Sequence, residues 1–196
     1  MTAHFELQPT ESELQKLADQ YWQEACNKER QLETEAFEAG AAIRNGDYSL
    51  GNLEAIVSWK SERLVPYLIG NSTERIRRSL EVAAAPESST QEAIMALQEL
   101  RGVDLSMASA ILAAIYPERY IELDFHDLEA LGLARQDVRF YEEYLAFCRR
   151  LVDRNISKPQ NDLPGPKPLR TLDRAQSCGR GIVLCRRRKG RSSSPR

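Results

Sequence analysis

The sequence predicts an all-α fold, a bundle of amphipathic helices. Apolar residues recur at intervals of three and four along most of the chain, and no segment shows the alternation that is typical of a strand. Capping sequences of the Ser/Thr-x-x-Glu/Gln type precede several of these apolar patterns. With 196 residues, 42% hydrophobic and 29% charged, the chain is long enough to bury one core.

Each helix is predicted from a start signal and the apolar pattern behind it. The first begins at the capping sequence 10–13 and ends by 45–46, with a break expected near Gly40. Asn52 caps a short second helix that places three residues inward: Leu53, Ile56 and Val57. Later helices are predicted from 71–74, from 88–91, from Leu105 and over 138–152.

The C-terminal part of the chain differs from the body in composition. We predict a helical domain over 1–157, a proline-rich linker with a short terminal helix over 158–175, and a disordered basic tail over 176–196. Three origins of the tail stay open: a nucleic-acid-binding tail, a partner-binding tail, or a translated frameshift. We favour the frameshift, because GC-rich DNA that is read out of frame yields Arg, Gly, Ser, Pro and Cys.

The net charge of −2 hides an asymmetry between the body and the tail. The chain has 27 basic and 29 acidic residues, and the tail holds seven of the bases and no acid, so that residues 1–175 carry about −9. An acidic body is a poor footprint for a DNA-binding protein unless a local basic face exists. Candidates for such a face, which would otherwise be an ordinary solvated surface, are Lys60, Arg63, Arg75, Arg77, Arg78, Arg149, Arg150 and Arg154.

Several classes of protein are not expected. No apolar run reaches membrane-spanning length, and the N-terminal sequence is not of the secretory type. The four cysteines form no disulfide framework and no zinc pattern, which favours a reducing cytoplasm. We therefore expect a cytoplasmic protein without a metal or another cofactor.

Residues 97–132 carry the strongest functional signal. Two apolar helical patterns flank a turn at Leu100-Arg101-Gly102-Val103, and Asp124 opens a further helix. A glycine turn of this kind lets the backbone approach a ligand closely, and the amides at the start of the second helix can then point at an anion. Asp104 is a good N-cap for that helix, so its carboxylate competes for the same amides. The alternative is a hairpin that merely turns two core helices.

This segment resembles the helix-hairpin-helix DNA glycosylase superfamily, in which LPGVGxKTA is followed by a helix and then by D-T-H. Here the turn reads LRGVDLSMA over 100–108, and the triplet is Asp124-Phe125-His126. The resemblance implies the helical glycosylase fold, base excision in DNA repair, and duplex DNA as the partner. It implies Asp124 as the catalytic group and the following as DNA contacts: Arg101, Gly102, Val103, Asp104, Ser106 and Arg119.

The resemblance also limits the chemistry. The lysine with which bifunctional glycosylases form a Schiff base aligns with Ser106, and serine forms no imine, so only monofunctional hydrolysis is expected. The cysteine ligands of the iron–sulfur cluster that some relatives bind are incomplete here. Three alternatives stay open: Asp124 as a simple helix cap, a non-catalytic binding module of the same fold, and a defective product of a damaged reading frame.

Overall fold

The computed structural model describes residues 4–7, 24–123, 137–156 and 183–186, and between 24 and 156 its regular elements are helices. In chain order these are α1 (Asn27–Arg44), α2 (Leu50–Ser61), a 3-10 turn (Glu62–Leu64), α3 (Val65–Leu68), α4 (Thr73–Ala84), α5 (Thr90–Gln98), α6 (Leu105–Ile115) and α7 (Val138–Ile156). The predicted all-α class is confirmed for this part of the chain.

Helix α6 lies at the centre of the bundle. All 11 of its residues are buried, and α1, α2 and α5 pack against it. Its sequence, LSMASAILAAI, has no charged residue, and a helix that is apolar on every face is stable only where its neighbours cover it. The predicted hairpin therefore leads into a fully buried helix.

The predicted first helix, from 10–13 to 45–46, does not run continuously: residues 25–26 are not helical, and α1 begins at Asn27 behind its N-cap Cys26. The break predicted near Gly40 is wrong, because α1 runs without interruption past this residue. Gly40 is buried against α6, where an added Cβ would overlap the carbonyl group of Ala114 and lie 2.8 Å from the nitrogen of Ile115. The glycine thus permits two helices to touch and does not end one. The predicted end at 45–46 is confirmed, since Gly46 has a φ of 98° and its N–H donates to the carbonyl of Ile43.

The predicted starts of α4 and α5 are confirmed by their caps. The hydroxyl of Ser72 accepts the N–H of Arg75 at 3.3 Å. At α5 the capping box is complete: the N–H of Glu92 donates to the hydroxyl of Ser89, and the Ser89 N–H and hydroxyl both donate to the Glu92 carboxylate. Local sequence therefore fixes both helix starts.

The start of α2 differs from the prediction. Its N-cap is Ser49, and the side chain of Asn52 donates instead to the carbonyl of Asp47 at 3.0 Å. The predicted inward face is nonetheless confirmed, because the buried residues of α2 are Leu53, Ile56 and Val57.

A short two-stranded ribbon pairs segments from the two ends of the chain, where the sequence had predicted no strand. Strand β1 (His4–Leu7) pairs antiparallel with β2 (Val183–Arg186), with Phe5 opposite Cys185 and Leu7 opposite Val183. The sequence HFEL does alternate polar and apolar residues, but over too few positions to stand out. The domain boundaries near 157 and 175 lie outside the described residues.

Candidate functional site

The predicted hairpin is present: α5 and α6 are joined by a tight turn. The turn bends at Gly102, whose φ of 86° lies in the left-handed region that favours glycine. The N–H of Val103 closes the turn on the carbonyl of Leu100 at 3.2 Å, and Val103 itself is 7% exposed. The backbone of this segment therefore has the predicted shape.

The turn is held from one side by the loop that precedes α4. The side chain of Asn71 accepts the N–H of Arg101 at 2.8 Å and donates to the carbonyl of Arg101 at 3.3 Å. On the same side, an added Cβ at Gly102 would lie 2.8 Å from the Cβ of Tyr67. Gly102 is thus required by its backbone angle and by the side chain that covers it.

Asp104 caps α6 as the sequence predicted. Its carboxylate accepts the N–H of Met107 at 2.9 Å while its side chain stays exposed. Within the described residues no acceptor is found for the amides of Leu105 and Ser106, the first two of the helix. The Asp104 carboxylate thus occupies one amide of this helix end and places a negative charge beside it.

Ser106 points into the protein. It is 7% exposed, and its hydroxyl donates to the carbonyl of Leu123 at 2.9 Å. The fully buried Ser109 accepts the N–H of Leu123 at 2.8 Å and donates to the carbonyl of Ser106 at 2.7 Å. A hydroxyl that is bonded in this way does not reach a ligand at the surface, so the contact expected of Ser106 with DNA would require it to leave the core.

Residues 121–123, which we call the strap, are anchored by three helices. In addition to the two serines of α6, the hydroxyl of Tyr141 on α7 donates to the carbonyl of Ile121 at 2.9 Å. Lys60 on α2 forms an ion pair with Glu122 at 2.5 Å, and these side chains are only 18% and 13% exposed. Lys60 therefore holds the strap in place and is not available to a basic face.

The strap is followed in the chain by Asp124, the residue predicted to be catalytic. Asp124, Phe125 and His126 lie outside the described residues, so their predicted roles stay predictions.

Arg119, a predicted DNA contact, is bonded within the protein. Its guanidinium donates to the carbonyls of Pro86 at 3.2 Å and Ser88 at 3.0 Å, and it lies 5.2 Å from the centre of the Tyr120 ring. These contacts fix the loop between α4 and α5. A phosphate contact by Arg119 would have to break them.

The surface beside the turn is apolar and cationic. Tyr67 and Ile69 are 59% and 65% exposed, although each is large and apolar. Near them Arg101 is exposed, and its guanidinium would lie 3.0 Å from a Cβ at Gly70. Arg101 forms no ion pair with any residue that the structure describes. We call Tyr67, Ile69 and Arg101 the turn surface.

Sequence reasoning missed Tyr67 and Ile69. Both lie in or just after the four-residue helix α3, which is too short to show an apolar period, so no pattern marks them as exposed. The only local signal is the apolar run VPYLI over 65–69 directly after a charged segment.

The other residues that were candidates for a basic face differ in whether an acidic side chain pairs with them. Arg77 pairs with Glu74 at 2.8 Å and with Glu81 at 3.3 Å. The hydrogen bond and the charge of Glu74 raise the pKa of Arg77, and the same contact lowers the pKa of Glu74. Arg63 and Arg75 are exposed and form no ion pair with a described residue.

Within the described ranges, no cluster of three or more His, Cys, Asp or Glu side chains is arranged to hold a metal ion. None of the described helices is both long and apolar enough to cross a membrane. Comparisons with protein-family models, with curated proteins and with solved structures found no match to this chain.

Proposed function

We propose that this chain is a DNA-binding protein of the helix-hairpin-helix glycosylase type, which releases a base from duplex DNA with Asp124 as the catalytic group. One observation carries the proposal: the hydroxyl of Ser106 donates to the carbonyl of Leu123 at 2.9 Å. The second helix of the hairpin and the residue immediately before Asp124 are thus in contact, although they are 17 positions apart in the chain. A site built from the hairpin and this aspartate requires that proximity.

The turn surface supports DNA as the ligand. Arg101 offers an unpaired positive charge for a phosphate, and the exposed ring of Tyr67 offers a face on which a base stacks. Together these groups suit a ligand that is anionic along its backbone and aromatic at its bases.

The proposed reaction is a hydrolysis. The bond between C1′ of the sugar and the base nitrogen breaks with its electron pair on the base, and a negative charge at Asp124 stabilises the cationic sugar. Water then adds to C1′, and its proton leaves to the base or to solvent. Position 106 holds no amine, so the strand is not cleaved through an imine at this residue.

The test is base release by the full chain on duplexes that each contain one damaged or mismatched base. Released base and alkali-labile abasic sites are the expected products, and Asp124→Asn should lower the rate by about 100-fold or more. Asp137→Asn is the matched control, because Asp137 accepts the N–H of Phe140 at 2.9 Å at the start of α7. Full activity of a folded Asp124→Asn variant would refute the assignment.

The bond between Asp104 and Met107 favours a second function, that of a non-catalytic binding module whose partner is not DNA. A carboxylate in the phosphate position repels DNA, and the body carries about −9. Asp104→Gly separates the two proposals, since glycine at an N-cap costs only a few tenths of a kcal/mol. Tighter binding of a fluorescent duplex by this variant supports the DNA-binding hairpin, whereas an unchanged affinity supports the other module.

A further inference from the structure

The two serines of α6 need an explanation, because they are the polar residues of an otherwise apolar helix. Ser106 and Ser109 are 7% and 0% exposed. A buried hydroxyl is costly unless it is hydrogen-bonded, and serine is a weaker helix former than the alanines beside it. The hydrogen bonds of the two serines must therefore compensate for the cost of burying their hydroxyl groups.

Those bonds form a closed cycle around one residue of the strap. The hydroxyl of Ser106 donates to the carbonyl of Leu123, the N–H of Leu123 donates to the hydroxyl of Ser109, and that hydroxyl donates to the carbonyl of Ser106. Each of these backbone and hydroxyl groups makes at least one hydrogen bond inside the core. Both polar backbone groups of Leu123 are bonded to α6, and its side chain is 1% exposed.

Fixing the carbonyl of Leu123 has a consequence for the next residue. A peptide bond is planar, so the direction of this carbonyl sets the plane of the bond that joins Leu123 to Asp124. Lys60 and Tyr141 hold the two preceding residues of the strap from α2 and α7. The chain thus enters position 124 from three residues that are each bonded to a neighbouring helix.

We propose that Ser106 and Ser109 are positioning residues for the Asp124 carboxylate, an inference that rests on the base excision proposed above. Ser106, which aligns with the Schiff-base lysine of bifunctional glycosylases, then acts through the main chain and does not touch the sugar. Displacement of a catalytic group by about 1 Å costs about 100-fold in rate. Loss of either hydroxyl should therefore lower kcat and leave KM close to its original value.

The experiment compares Ser106→Ala and Ser109→Ala with Ser79→Ala in the full chain, at a temperature where each variant is folded by circular dichroism. Ser79 is a matched control, a serine of α4 that is 2% exposed and bonded to no part of the strap. We expect the kcat of base release to fall about 10- to 100-fold in Ser106→Ala and Ser109→Ala and to stay unchanged in Ser79→Ala. Ser106→Thr, which keeps the hydroxyl, should restore most of the rate.

A double variant tests whether the effect passes through Asp124. If the serines act by positioning this carboxylate, Ser106→Ala together with Asp124→Asn is no slower than Asp124→Asn alone. Alanine variants that melt earlier but keep the original kcat would overturn the positioning role and leave the base excision standing. A wild-type chain that binds DNA and releases no base from any duplex would overturn the proposed function, and the positioning role with it.

Discussion

Position 40 of α1 requires a glycine, because the carbonyl group of Ala114 on α6 occupies the space that a Cβ would fill. Gly40→Ala should therefore destabilise the fold by about 1–3 kcal/mol through overpacking, even though alanine is the better helix former. Gly51→Ala in α2 is the control: no atom lies within 4 Å of an added Cβ there, so a gain of about 0.4–1 kcal/mol is expected. Urea unfolding measures both changes. A Gly40→Ala variant at least as stable as the wild type would show that α1 and α6 are further apart.

The capping box at Glu92 leads us to expect that the stability of the folded state depends on pH. The hydrogen bond from the Ser89 side chain, and then the bond from the Ser89 backbone, lower the pKa of Glu92 from its ordinary value of 4.5. A lowered pKa stabilises the folded state above pH 4.5, and this contribution disappears as the pH falls through the lower, folded-state value. The stability lost in Glu92→Gln should thus be largest at neutral pH and vanish in acid, as measured by urea unfolding across pH. If Ser89→Ala leaves that pH dependence intact, the capping box is not its source.

At the scale of the elements, the starts of α4, α5 and α6 were predictable, those of α1 and α2 were not, and neither was the assembly of the strap. Ser72, Ser89 and Asp104 act as caps because capping depends on residues three apart in the chain. The strap is assembled by Lys60, Tyr141 and the serines of α6, which lie between 14 and 62 positions from their partners. No local pattern marks such pairs, and the exposure of Tyr67 depends in the same way on tertiary packing.

The N-terminus of α6 allows capping and charge to be separated by two variants of Asp104. Asp104→Ala removes the acceptor of the Met107 N–H and should cost about 1 kcal/mol of stability. Asp104→Asn keeps an oxygen acceptor and should leave stability nearly unchanged. If the hairpin binds DNA, both variants lose the repulsive charge and both bind a duplex more tightly, as fluorescence anisotropy would measure. A gain in Asp104→Ala alone would mean that a loosened helix, and not the charge, controls binding.

For the whole molecule, the distribution of charge determines which part can attract DNA from a distance. The body carries about −9, while seven bases lie in 176–196. Among the described residues of the body, the exposed arginines that form no ion pair include Arg63, Arg75, Arg78, Arg101 and Arg150. The turn surface therefore suits a short-range contact, and the tail suits long-range attraction.

If the chain binds DNA as proposed, these two contributions should differ in their response to salt. Replacing Arg186, Arg187, Arg188 and Lys189 by glutamine should weaken binding to any duplex and reduce the slope of log affinity against log salt by about 3–4, or about 0.9 for each phosphate contact that is lost. Arg101→Gln should reduce that slope by about 1, because it removes one phosphate contact, and should weaken binding to every duplex alike. Arg77→Gln is the control, because this side chain is paired with Glu74 and Glu81. If the tail variant keeps the wild-type slope, the attraction comes from the body in spite of its net charge. The tail would then have no part in DNA binding, as expected for a frameshifted sequence.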